Sequence, residues 1–286
     1  MPKLSPSLKA LINEPSAQPG VRDAPGGIEE LFQSLARDAN ARKLGLKAWL
    51  TIATATTLTL NSPASLSIIY SVASSHADGL DARVQIAECM REVVLKCISF
   101  NGIPRTINCL NAFRASLPQE VQSRLCTSPS RKLTAENVVD VSSRGLGLWV
   151  SIYRPHHDKL LDKLSLAHPD LPVHILSSHY SALLSDPPSA DRGTLSSVGR
   201  VHTSIVAISC LRAQTGVGPQ VLSHVFGLRK AMEDGSYRVD SAGSSDDAIK
   251  WLASDEGCEW ILRTVDKIVN AMGGSSFAPL GRGSKL

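Results

Sequence analysis

Apolar residues recur at intervals of three and four along most of the chain, which is the spacing of one face of an α-helix. The pattern begins at Ile28 and continues through Leu31, Phe32 and Leu35. The segment 43–60, rich in threonine, also alternates as a strand would, but its length and its lack of turn residues favour a helix. Nothing indicates a sheet, so the predicted fold is all-α. Further helices are predicted over residues 7–12, 63–74, 82–100, 105–116, 173–184, 200–213, 219–232 and 246–272.

Proline, glycine and serine divide this helical pattern into segments. Residues 117–147 contain Pro118, Pro129, Gly145 and Gly147, which interrupt a helical pattern and predict a junction there. The predicted organisation is an extended arm (1–27), a first helical repeat (28–125), a linker (126–147), a second repeat with C-terminal helices (148–272) and a flexible tail (273–286).

Two segments, 91–114 and 204–231, repeat the same order of features. Each contains an apolar helix, a glycine turn, a proline that opens the next helix, and an amphipathic helix that ends in arginine. Because one such unit cannot bury its own apolar face, we expect the two to pack as a single helical body with pseudo-twofold symmetry.

This repeat resembles the carboxymuconolactone decarboxylase and alkylhydroperoxidase D-like superfamily, whose members are all-α proteins that commonly assemble as symmetric oligomers. The resemblance extends loosely over residues 28–232 and is sharpest over 83–117 and 199–232. It implies two tandem alkylhydroperoxidase D-like repeats in one pseudo-twofold helical domain, and a homo-oligomer.

The peroxidase branch of that superfamily carries an Arg-Glu helix followed by Asn-Gly-Cys-x-x-Cys-x-x-x-His. Arg91-Glu92 and Asn101-Gly102 match this pattern, but the cysteines do not. Reduction of a peroxide by a thiolate and a resolving cysteine needs two adjacent sulfurs, so thiol peroxidase chemistry is excluded at this position. The Cys, Cys and His positions hold Ile103, Thr106 and Leu110 when counted from Gly102, and Pro104, Ile107 and Asn111 when counted from Glu92.

The second repeat keeps the histidine of the family pattern. Counting from Gly216 places His224 at the histidine position and Gln220 where the decarboxylase branch often has glutamate. These two residues lie four apart, so they share a helix face, and histidine is the usual acid or base near neutral pH. The resemblance therefore implies a cofactor-independent, decarboxylase- or lyase-like site for a small organic acid or acyl substrate, with Gln220 orienting His224 and Glu92 or Arg105 assisting.

Each of these residues also has a structural interpretation. His224 would pack at a helix or subunit interface and be satisfied by Gln220, and Glu92 would form an ion pair with Arg91 or Arg105. Arg105 would belong to a solvated polar stripe. The alternative function is a non-catalytic oligomeric scaffold or interaction protein. A polar pocket at His224 would favour the enzyme, and an apolar contact without a cavity would favour the scaffold.

Composition and charge limit the partners. The chain has 286 residues, of which 43% are hydrophobic, so it can bury a sizeable core. The net charge of +4 is largely concentrated after Asp266, where Lys267, Arg282 and Lys285 occur without any acid. The rest is nearly neutral, so we expect no nucleic-acid partner. No apolar run approaches the ~18 residues of a membrane span.

The cysteines and histidines do not form a metal motif. None of the six cysteines lies within seven residues of another, which predicts buried free thiols in a reducing compartment. Five histidines fall between residues 156 and 179, but none has the spacing of a helical zinc motif. We therefore expect neither a metal nor a cofactor.

The last three residues carry the most specific signal. Ser284, Lys285 and Leu286 form the tripeptide that the peroxisomal import receptor reads at a free C-terminus. The glycine- and serine-rich segment 273–281 before it is typical of a flexible leash that would expose such a signal. The sequence predicts a peroxisomal matrix protein whose partner is that receptor.

Overall fold

The computed structural model describes residues 3–14, 21–188, 197–240, 244–275 and 277. Every regular element within these ranges is helical, and no strand occurs in them. The prediction of an all-α fold is confirmed. The targeting tripeptide and most of the predicted tail lie outside the described residues.

The helices of the first half follow one another with short connections. They are α1 (Pro6–Ile12), α2 (Ile28–Ala41), α3 (Gly45–Thr59), α4 (Pro63–Ser74), α5 (Gly79–Lys96), α6 (Ile98–Asn101), α7 (Ile103–Ser116) and α8 (Gln119–Gln122).

The second half begins with α9 and contains one π-helical segment. Its elements are α9 (Val138–Tyr153), α10 (His157–Ala167), α11 (Asp170–His174), the π segment (Ile175–Leu184), α12 (Gly199–Gln214), α13 (Gly218–Glu233), a 3₁₀ turn (Ser236–Asp240), α14 (Asp246–Leu252) and α15 (Asp255–Ala271).

Two of the predicted helices are each divided into two shorter helices. The helix expected over 246–272 is two helices, because the Ser254 hydroxyl accepts a hydrogen bond from the Gly257 amide and starts α15 anew. The helix expected over 82–100 starts earlier, at Gly79, and α5 ends at Lys96 before the short α6.

The segment expected to be a linker is helical in its second part. Residues 138–147 form the greater part of α9, which continues through both Gly145 and Gly147. Glycine is unfavourable inside a helix by itself, but here one of these glycines permits a close helix contact. Residues 126–137 remain without a regular element.

The core is built around α3 and α12. Nearly every residue of α12 is buried, as is every residue of α3 from Lys47 to Thr59. A helix that is buried on all sides needs no amphipathic stripe. This explains why the threonine-rich segment is a helix, although its residues alternate as they would in a strand. α12 packs against α3, α13 and α15, and α3 also packs against α2, α4 and α5.

A second, smaller cluster lies beside this core. Trp149, Ile152, Tyr180 and Leu184 form its buried part, and they come from α9 and the π segment. α9 packs against the π segment and against α13. Within the described ranges no helix is long and apolar enough to cross a membrane.

Candidate functional site

His224 lies on α13, on the face that turns toward α9. Its side chain is almost completely buried, with 6% exposure. The close approach of the two helices depends on Gly227, since a β-carbon there would lie 2.7 Å from Cγ2 of Ile152. His224 and Gly227 are three residues apart, so the same face of α13 carries both.

Aromatic side chains surround the imidazole. The Tyr153 hydroxyl lies 3.4 Å from His224 Nε2 and 2.9 Å from the Tyr180 hydroxyl. Phe100 and Tyr153 both meet the imidazole edge-on, with ring centroids 6.0 Å away. Trp149 packs against both tyrosine rings. We call these five residues, Phe100, Trp149, Tyr153, Tyr180 and His224, the aromatic cluster.

Burial fixes the protonation state of the cluster. Desolvation, and secondarily the positive charge of Arg200, lowers the pKa of His224 from 6.5 to about 4. Desolvation also raises the pKa of Tyr153 and, well above its usual value, that of Tyr180. At neutral pH the imidazole is therefore uncharged and both phenols keep their protons.

The uncharged imidazole has one nitrogen without a partner. Tyr153 engages Nε2, either as donor or as acceptor, whereas Nδ1 of His224 is buried and has no hydrogen-bond partner among the described residues. Buried polar atoms are nearly always paired, so an unpaired ring nitrogen needs an explanation, and a chemical role is one of the recognised ones.

Arg200 anchors the helices around the cluster. From α12 its guanidinium donates to the Ser151 hydroxyl (2.7 Å), to the Ser204 hydroxyl (2.7 Å) and to the carbonyl of Gly227 (2.6 Å). It thereby joins α12 to α9 and α13 beside His224. The same positive charge disfavours protonation of the imidazole.

The residue expected to orient His224 does not contact it. Gln220 lies one turn earlier on α13, exposed, with no described hydrogen bond to the imidazole. Tyr153 is the partner instead. No sequence pattern indicates this pair, because the two residues are 71 positions apart and the packing of α9 on α13 brings them together.

Glu92 forms an ion pair, but not with either expected arginine. Both of its carboxylate oxygens accept hydrogen bonds from the guanidinium of Arg131, one at 3.2 Å. Arg91 bonds instead to Glu88, at 2.7 Å. Neighbouring residues on a helix point in different directions, whereas residues three apart face each other, so Arg91 meets Glu88 rather than Glu92.

Arg105 contacts a different part of the fold. Its guanidinium donates to the carbonyl of Thr59 at the end of α3 and lies 3.8 Å from the centroid of the Phe277 ring. The structure therefore does not assemble the four candidate residues into one site. His224 remains in the aromatic cluster, while the described contacts of Glu92 and Arg105 are to residues outside it.

Two further features of a functional site, a metal-binding group and a cleft, are not found at the aromatic cluster among the described residues. Within the described ranges no group of three or more histidine, cysteine, aspartate or glutamate side chains is arranged to hold a metal ion. His224 lines none of the four clefts described for these residues.

Comparison with known proteins gives no assignment. No family model, no curated protein and no solved structure matches the chain.

Proposed function

We propose that the protein is a peroxisomal matrix enzyme that performs cofactor-independent acid/base chemistry, of the decarboxylase or lyase type, on a small organic acid or acyl substrate. In this proposal the fold is a pair of tandem alkylhydroperoxidase D-like repeats related by a pseudo-twofold axis. The observation that carries the proposal is the uncharged imidazole of His224, hydrogen-bonded to Tyr153 and with Nδ1 unpaired.

His224 Nδ1 is the proton-accepting atom in this proposal. When Nε2 carries the ring proton and donates it to the Tyr153 oxygen, Nδ1 has a free lone pair. In this proposal the Tyr153 hydroxyl donates its own proton to the Tyr180 oxygen, 2.9 Å away, which leaves the Tyr153 oxygen to accept from Nε2. Because the pKa of His224 is about 4, the lone pair is available throughout the neutral range.

The other candidates take more distant roles. In this proposal Gln220, which is exposed one turn before His224, contacts a substrate that approaches α13. Glu92 and Arg105 act as positioning residues, since each holds a neighbouring element through a buried or half-buried hydrogen bond.

A second candidate function is the non-catalytic oligomeric scaffold. It is favoured by the closed packing of His224 against Phe100 and Tyr153. It is also favoured by Leu222 and Phe226 on the same helix, whose side chains are 57% and 54% exposed. Exposed aromatic and aliphatic pairs are typical of contact surfaces.

Turnover in matched variants separates the two functions. Purified protein is incubated with a panel of small carboxylic acids and acyl compounds, and products are detected by mass spectrometry. We expect His224→Gln to lower turnover by about 10²–10⁴-fold and Tyr153→Phe to lower it less. Tyr70→Phe, which removes another buried tyrosine hydroxyl in the main core, is the control and should retain activity. Turnover that survives His224→Gln would refute the catalytic role.

The oligomer is tested on the same preparations. If the scaffold function holds, no panel compound turns over, and Phe226→Ser shifts the sedimentation coefficient toward the monomer. Arg263→Ser, an exposed substitution on α15, should leave it unchanged.

The location is tested independently of the chemistry. With a fluorescent protein fused to the N-terminus, removal of residues 284–286 should change a punctate peroxisomal signal into a diffuse one. Substitution of Arg282 by glutamine, just before the tripeptide, should preserve the puncta. An unchanged location after the deletion would overturn the targeting proposal.

A further inference from the structure

A small cleft lies where the start of α9, the end of the π segment and the irregular residues 126–137 meet. Its volume is about 90 Å³. This is space for several water molecules or for one compact polar group. Its polar side chains include those of Ser130, Arg131, Lys132, Asp140, Arg144 and Ser181. We call it the basic cleft.

Positive charge predominates in the basic cleft. Arg131, Lys132 and Arg144 supply three cations, and Asp140 is the only carboxylate among the residues that line it. The charge of Arg131 is partly neutralised by its ion pair with Glu92. Lys132 and Arg144 also line the cleft and form no ion pair with another described residue.

Two buried donors in the cleft have no partner. Nε of Arg144 and the hydroxyl of Ser130 are both inaccessible to solvent and make no hydrogen bond among the described residues. Both residues line the same cavity. Since unpaired buried donors are rare in folded proteins, two in one small cationic cleft indicate that an acceptor belongs there.

The surrounding contacts hold the cleft in shape. Glu92 fixes the guanidinium of Arg131, which also donates to the Leu183 carbonyl at 3.3 Å. Gly145, next to Arg144, allows the backbone of Ser181 to press against α9. The cleft is therefore pre-formed by packing and needs no ligand to organise it.

We propose that the basic cleft binds a small oxyanion, a carboxylate or a phosphate group, through Arg144 and Ser130. Guanidinium groups recognise both kinds of oxyanion by charge-assisted hydrogen bonds, and a serine hydroxyl adds one more donor. Lys132 at the rim supplies charge without directional constraint. This site does not depend on the chemistry proposed for His224, because none of its lining residues belongs to the aromatic cluster.

Thermal unfolding of the full chain tests the site. The melting temperature is measured against sodium phosphate, sodium acetate and sodium chloride at equal ionic strength and fixed pH. A ligand that binds only the native state raises the melting temperature in a saturable way. We expect phosphate or acetate to do so and chloride not to. A larger shift with phosphate identifies a tetrahedral oxyanion as the preferred group, and a larger shift with acetate identifies a planar carboxylate.

Matched variants locate the effect. Arg144→Gln should abolish the shift, and Arg114→Gln, the same charge change at an exposed position of α7, should keep it in full. Lys132→Gln, at an exposed position, should weaken the apparent affinity for the oxyanion several-fold without affecting folding. This variant tests the site if Arg144→Gln does not fold. The proposal is overturned if neither oxyanion exceeds chloride, or if the shift persists unchanged in the foldable cleft variants.

Discussion

Gly145 and Ser181 are in direct contact, with no room for a side chain between them. A β-carbon added to Gly145 would lie 2.1 Å from Oγ and 2.4 Å from Cα of Ser181. This contact brings α9 and the π segment together. On the same two elements Tyr153 and Tyr180, the residue before Ser181, have their hydroxyls 2.9 Å apart, and Ser181 itself lines the basic cleft.

Gly145→Ala should therefore destabilise the protein. The added methyl group meets backbone as well as side-chain atoms of Ser181, so one of the two elements has to move, at a cost of about 1–3 kcal/mol. The free energy of unfolding in urea measures it. The same displacement should weaken the oxyanion-dependent rise in melting temperature, since Ser181 lines the cleft.

Gly147→Ala is the control in the same helix. Nothing lies within 4 Å of a β-carbon at Gly147, so the change removes a flexible residue from α9 without a clash. It should stabilise the protein by up to about 1 kcal/mol. Equal effects of the two substitutions would mean that the contact between Gly145 and Ser181 does not hold the elements together.

His224 should make stability depend on pH in the mildly acidic range. Burial and Arg200 lower the pKa of its imidazole from 6.5 to about 4, so between these values the unfolded chain binds a proton that the folded chain does not. Stability should fall as the pH drops through this window, by roughly 3 kcal/mol in all. Urea unfolding between pH 7.5 and pH 4.5 measures the slope.

Removal of the imidazole should reduce that slope to the part that other groups cause, among them His179, whose pKa is also lowered by burial and by His174. His224→Gln keeps a polar group near Tyr153 and should flatten the dependence between pH 6.5 and pH 4. His76→Gln, which removes an exposed imidazole, should leave the slope as it is in the wild type. A wild-type slope in His224→Gln would show that another group binds the proton.

Sequence patterns predicted the elements whose signals are local. Pro63 and Pro104 each stand in the first turn of a helix, and α4 and α7 begin within two residues of the predicted starts. α3 was correctly predicted from its length, although its threonines also suggested a strand. These features need no knowledge of distant contacts.

Tertiary contacts decided the features that sequence patterns missed. Gly145 and Gly147 indicated a break, yet α9 runs through both, and Ser181 packs against Gly145 where a side chain would not fit. The partner of Glu92 is Arg131, 39 positions away, rather than a residue of its own helix. The same holds for Tyr153 and His224, so the site could be predicted only as far as His224 itself.

One of the six cysteines should react quickly with thiol reagents in the native protein, and the other five should not. Cys126 is the only cysteine that is not buried, and all six belong to the described residues. Burial raises the pKa of Cys89 and of Cys109 to about 12, which suppresses the reactive thiolate. Native protein should release one equivalent of chromophore rapidly from a disulfide reagent, and denatured protein six.

Single substitutions assign the fast equivalent. Cys126→Ser should abolish the rapid phase, and Cys258→Ser should preserve it, because Cys258 is buried. Rapid release of two equivalents by native Cys126→Ser protein would instead point to the neighbouring Cys97 and Cys210, whose sulfurs are 3.5 Å apart.

The ion pair of Lys96 and Asp186 should be the most costly polar contact to break. Lys96 Nζ lies 2.7 Å from Oδ1 of Asp186 and also donates to the Thr203 hydroxyl, in a completely buried position. Lys96→Met leaves the carboxylate without its cation and should cost about 3–5 kcal/mol. Lys250→Met, an exposed change on α14, should cost almost nothing.

A double-mutant cycle distinguishes the pair from the loss of lysine packing. Burial alone would raise the pKa of Asp186, but Lys96 lowers it below 3.8, so the ionised carboxylate contributes stability above that pH and loses it in stronger acid. The Gly199 amide donates a hydrogen bond to Oδ2 of Asp186 at 2.5 Å. Asp186→Asn keeps an oxygen that can accept this bond. In the Lys96→Met background this second change should therefore cost less than it does alone. Additive losses would mean that each side chain stabilises the fold through its other contacts, and that the two charges do not act as a pair.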